Sequence, residues 1–167
     1  MPSLASDISG LGVPSALAAF LAALVAQHTF IPAGAARTLT DADAGKTVQL
    51  DTAAGSVVTL PAATGSGRKF HFCTTVIATS NSHIVKVANA TDVMSGALQV
   101  VDNADGTCTS FGTVAASDTI TLNRSTTGSV KIGELFTLHD IKAGYWAVNG
   151  VIIATGSEGT PFSAAVS

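Results

Sequence analysis

Between Thr38 and Phe72 the chain reads TLTDADAGKTVQLDTAAGSVVTLPAATGSGRKFHF, short runs of period-two alternation separated by small-residue corners, and this pattern constrains the fold most. Thr40 stands three residues before Asp43, the spacing of a capping box in which each group serves a backbone N–H of one helical turn. Gly45 ends that turn, since glycine enters the left-handed region without a Cβ penalty. Val48 and Leu50 then alternate with Thr47, Gln49 and Asp51, which predicts a strand buried on one face. The Ala53-Ala54-Gly55 corner leads to a second strand, Ser56 to Leu60, stopped by Pro61, which has no N–H for a ladder. A third strand, Arg68 to about Val76, places Phe70 and Phe72 on one face and His71 and Cys73 on the other.

The same rhythm continues to the end of the chain. HIVKVA (83–88), ALQVV (97–101), Thr107 to Val114, TITLN (119–123) and Leu135 to Ile141 read as strands, with Asp105-Gly106 at the tip of a turn. Tyr145 to Val148 and Val151 to Ala154 flank Asn149-Gly150, which predicts a hairpin closed by a type I′ turn. Many short strands with turn chemistry between them, rich in threonine and valine, predict an all-β fold: an antiparallel, jelly-roll-like β-sandwich.

The leading segment has another character. From Met1 to Ala36 only Asp7 carries a charge at neutral pH, and Val13 to Ala26 is small or apolar apart from Ser15. Leu17, Phe20, Leu21, Leu24, Val25 and His28 fall on one helical stripe, with alanines behind and Ser15 as the expected N-cap. A helix with no polar face is packed on its own domain or held in an interface, and the interface is the expectation. Before it, MPSLASDISGLG carries Leu4, Ile8 and Leu11 among glycine and serine: too few apolar groups to fold alone, enough to dock in a groove. No basic residue precedes Arg37, unlike a signal peptide. Fourteen residues rising ~1.5 Å each span roughly 21 Å, short of a hydrocarbon core of about 30 Å. The predicted division is therefore residues 1–36 as arm, helix and linker and 37–167 as the β-sandwich.

Charge content bears on partners. Only 11% of the 167 residues are charged while 47% are hydrophobic, so part of the exterior is expected to lie against a partner. A net charge of −3 and 5% aromatics offer nucleic acid neither a basic patch nor a stacking platform. Cys73 and Cys108 are expected as two buried free thiols rather than a disulfide. No P-loop, G-x-S-x-G elbow or H-E-x-x-H motif occurs, and no catalytic, cofactor or metal residue is assigned. His71 and Cys73 share a strand face and could begin a zinc site with His83 or His139, but ordinary packing is the expected role. Trp146 is expected in the core or a subunit interface rather than on a sugar platform, with Tyr145 facing the other way.

TLTDADAGKTVQLD, SVVTLPA, GRKFHF, HIVKVA, TDVMSGAL, GYWAVNG and the closing GSEGTPFS together resemble the capsid decoration (cement) and head-fibre proteins of tailed bacteriophages. The likeness runs from about Arg37 to Ser163 and leaves the helical leader outside. It implies a non-enzymatic homotrimer, made in the host cytoplasm, that sits on the outside of a phage head and bridges major capsid protein subunits, without nucleic acid, membrane or cofactor. Leu4, Ile8, Leu11, Leu17, Phe20, Leu21, Leu24 and Val25 are then the candidate capsid or subunit contacts. The alternative is a receptor- or glycan-binding module of a phage fibre.

Overall fold

The structure is a computed structural model that describes residue 6, residues 9–26 and residues 29–166. The expectations for Leu4, Ile8 and His28 lie outside the described residues, as does that for the Val25 side chain. The helix α1 (Ser15–Ala26) precedes the strands. The amide of Ala18 donates to the carbonyl of Pro14, so Pro14 and not Ser15 holds the cap position, and Ser15 begins the helix proper. No helix among the described residues is long and apolar enough to cross a membrane.

The chain then winds between two sheets. β1 (Phe30–Pro32), β3 (Thr47–Leu50) and β5 (Lys69–Thr74) lie side by side and parallel in one sheet, with Phe30, Thr47 and His71 in register. Their alternates β2 (Ala36–Thr38), β4 (Val57–Thr59) and β6 (His83–Lys86) do the same in the other, aligning Ala36, Val57 and Ile84. The corners between these strands carry the chain across to the opposite sheet, so neighbouring strands within a sheet run the same way rather than antiparallel. A parallel pair needs such a crossover, and here a strand of the facing sheet supplies it. The remainder is largely antiparallel. β7 (Val93–Asp102) and β8 (Cys108–Gly112) form a hairpin through the expected Asp105-Gly106 turn, where Gly106 has φ +78°. β9 (Thr119–Leu122) pairs with β6 and with β12 (Phe162–Ser163), while β10 (Leu135–Lys142) and β11 (Tyr145–Ala154) fill the gap between β5 and β7.

The result is a seven-stranded sheet, β1-β3-β5-β10-β11-β7-β8, and a five-stranded sheet, β12-β9-β6-β4-β2. The all-β sandwich class holds, but both sheets are mixed rather than antiparallel. Each turns an apolar face inward. Val48, Leu50, Phe70, Phe72, Leu138, Trp146 and Ile152 from one sheet join Val58, Val85, Ile120 and Leu122 from the other in one buried cluster. Phe72 stacks on Phe136 with ring centres 4.9 Å apart, and Phe70 lies tilted against Trp146 at 5.7 Å.

Asn149-Gly150 is not a turn. Tyr145 to Ala154 is a single ten-residue strand, paired along its whole length with β7 in parallel. Gly150 lies in mid-strand opposite Phe136, where the two backbones approach too closely for a side chain. Nor are the thiols two buried groups: Cys73 is half-buried, Cys108 is exposed, and both are free. They lie on β5 and β8, with β10, β11 and β7 between them. At ~4.8 Å per strand that is roughly 19 Å, far beyond the reach of a disulfide.

Candidate functional site

Buried carboxylates draw attention first, because an acid in a protein interior is either structural or chemical. Asp140 is wholly buried at the end of β10 and accepts hydrogen bonds from the amides of Thr64, Gly65 and Ser66, from the hydroxyls of Thr64 and Ser66, and from Arg68 Nη2. Burial pushes its pKa up, but the Ser66, Gly65 and Thr64 donors outweigh that and hold it well below the ordinary carboxylate range. Arg68 also pairs with the exposed Asp41 and donates to the Ala62 carbonyl. Glu134 receives the amides of Ser129, Val130 and Lys131 and the hydroxyl of Thr74, and so fixes Ser129 at φ +63°. Asp118 accepts the amides of Ala165 and Val166 and ties the C-terminal segment to β9. Asp92 takes the Ala63 amide and the Asn89 side chain. Every one of these acids is committed to holding a loop.

His83 is committed in the same way. It is fully buried; its Nδ1 accepts the Ser56 amide at 3.0 Å, so Nε2 carries the proton and donates to the Val76 carbonyl at 2.9 Å. Burial lowers its pKa and keeps the ring neutral. It therefore cannot join His71 and Cys73, and among the described residues no three His, Cys, Asp or Glu side chains are grouped to hold a metal. Trp146 is entirely buried and forms no surface platform, whereas Tyr145 is exposed with Lys142 Nζ 5.3 Å from its ring centre.

Of the predicted contact residues whose side chains are described, the structure leaves most without cover. Leu17, Phe20 and Leu24 are 48%, 63% and 47% exposed on one side of α1, Leu11 before the helix is more exposed still, and Leu21 is half-buried. Ala18 is fully buried and Ala22 half-buried, while Ala16, Ala19 and Ala23 are exposed. Leu17, Phe20 and Leu24 of the stripe read from the sequence as the packing face are thus turned outward in the single chain, and Leu21 is not. Phe30, just after the helix, is also exposed.

The chain has no significant match to any protein-family model, curated protein or solved structure.

A second surface was not foreseen. The outward face of the seven-stranded sheet divides into two zones. Towards one end, Leu135 and Val151 stand opposite each other on β10 and β11, exposed, beside Ile132 and Ile153. Towards the other lies a depression of about 470 Å³ lined by Lys69, His71, Thr137, His139, Asn149 and Ser95, with Ala147, Val148 and Gly96 as its floor. His71 Nδ1 and Thr137 Oγ1 are 2.9 Å apart across it. Sequence reading placed His71 on this face but could not see its neighbours, because Thr137, His139, Ala147 and Asn149 come from strands more than sixty residues away in the chain and Ser95 from one more than twenty away.

Proposed function

We propose that this protein is a structural virion component: a homotrimeric capsid decoration protein that binds the outside of a phage head and bridges major capsid subunits. The observation that carries the reading is the exposed Leu17, Phe20 and Leu24 face of an uncharged helix appended to a β-sandwich. Such a face is costly in water and is stabilised by a partner surface. Two further observations support it. The buried acids and His83 are occupied in fixing loops, and the resemblance noted in the sequence covers the sandwich while leaving the helix free for attachment.

The mechanism is mechanical. If each arm and helix buries about 600 Å² of apolar surface, the gross gain at ~25 cal/mol/Å² is roughly 15 kcal/mol before ordering costs, which remove much of it. Joined in a trimer, three modest contacts become one tight attachment, because after the first docks the others bind at high effective concentration. Outward pressure from packaged DNA must then break these contacts before the shell opens. Quantitative mass spectrometry of purified particles tests the reading: hundreds of copies per particle support a head-covering role, and a handful at one vertex would point to the fibre alternative.

A further inference from the structure

We propose that the depression on the outward face of the seven-stranded sheet binds a carboxylate-bearing sugar residue. The register of four adjacent strands builds it from two parallel rows. One row runs Lys69, His139, Ala147 and Ser95 across β5, β10, β11 and β7; the next runs His71, Thr137, Asn149 and Ala97. Because side chains in register on neighbouring strands share a face, these groups point the same way across a width of about 14 Å. The small Ala147 on β11 and Gly96 on β7 leave the hollow open, and its volume falls in the roughly 300–1,000 Å³ range of small-ligand sites.

The chemistry is asymmetric across the hollow. On the β5 and β10 side stand Lys69 and two imidazoles, and none of the nine lining residues is acidic, so that side favours a negative group. On the β11 and β7 side stand the Asn149 amide and the Ser95 hydroxyl, with the Ala147 and Val148 carbons between. A bare inorganic anion would use only the first side. A sugar acid uses both: the carboxylate meets Lys69 and the histidines, ring hydroxyls meet Asn149, Thr137 and Ser95, and the C–H face rests on the small apolar floor. The site is independent of head attachment, so either proposal can fail without the other.

The test is an NMR titration of the full chain, following the His71 and His139 imidazole resonances. The probes are glucuronate, galacturonate and N-acetylneuraminate, with glucose and inorganic phosphate as comparators. At least one sugar acid is expected to shift both imidazoles and to bind at least tenfold more tightly than glucose or phosphate. Lys69→Gln should weaken that binding about tenfold or more, as expected for loss of a charged hydrogen bond, and Asn149→Ala should weaken it as well. Both side chains are exposed, so unchanged melting temperatures are expected for the two variants. Absence of imidazole shifts with all three acids would overturn the proposal. So would phosphate binding as tightly as the sugar acids, which marks a plain anion patch, or equal affinity for glucose.

Discussion

Gly150 on β11 faces Phe136 on β10 so closely that a Cβ at position 150 would lie 2.4 Å from the Phe136 Cα and 2.5 Å from the Leu135 carbonyl oxygen. Real side chains do not approach backbone that nearly, and the glycine φ of +154° adds to the strain any replacement meets. Gly150→Ala is expected to destabilise the sandwich by about 3 kcal/mol, lowering the melting temperature by roughly 10 °C in a domain of this size. Thermal unfolding followed by circular dichroism checks this; a variant as stable as the parent would mean that β10 and β11 are spaced differently.

Asp140 is the most heavily bonded acid described here, and Arg68, itself largely buried, leans on it. Asp140→Asn removes the charge, turns an amide group toward backbone donors and leaves Arg68 without its buried partner. The expected cost is about 3 kcal/mol or more. Denaturant unfolding would show it as a fall in midpoint.

The acid side of the stability profile follows from the same residue. Its folded pKa is depressed, so the unfolded chain takes up the proton first as pH falls. The stabilisation is present above the ordinary carboxylate pKa of about 4 and is lost as pH drops further. Asp118 and Asp43, both lowered by their own hydrogen-bond donors despite burial, act in the same direction.

His83 adds an earlier step. Its folded pKa lies below the ordinary value because burial disfavours the cation, while the unfolded ring titrates near 6.5. Stability is full above about pH 6.5 and declines below it, by at most about 1.4 kcal/mol per pH unit for one proton. Urea midpoints between pH 7.5 and 5 are expected to fall, and His83→Gln, though less stable at pH 7.5, is expected to lose that slope. A parent midpoint that is flat over this range would contradict the neutral, doubly bonded ring.

Local pattern revealed local structure. The alternation of Val48 with Leu50 and of Phe70 with Phe72 marks core strands because burial on one face imposes period two whatever the neighbours. The turn at Asp41–Asp43 was legible too: the Asp43 carboxylate accepts the Thr40 amide at 3.0 Å and its hydroxyl at 3.1 Å. What failed was everything decided between distant strands. Ala53-Ala54-Gly55 looks the same whether the chain returns in its own sheet or crosses to the other. Asn149-Gly150 has the composition of a turn, yet the glycine answers to Phe136, which no window around residue 150 contains. The rows that form the depression are likewise a product of register, and the outward aim of Leu17, Phe20 and Leu24 depends on what the helix meets, not on its periodicity.

The central claim is that this apolar leader attaches a self-sufficient β-sandwich to a head surface. Co-sedimentation with the phage heads that the proposal makes its partner, comparing the full chain, a chain lacking Met1 to Gly12 and a Leu17→Ser/Phe20→Ser/Leu24→Ser variant, tests it most directly. The full chain is expected to be trimeric and to pellet with the heads. Both altered forms should remain in the supernatant while keeping the β-rich circular dichroism spectrum and cooperative unfolding of the parent. Unchanged occupancy of the heads by the altered forms, or a monomeric full chain that never pellets, would contradict the account.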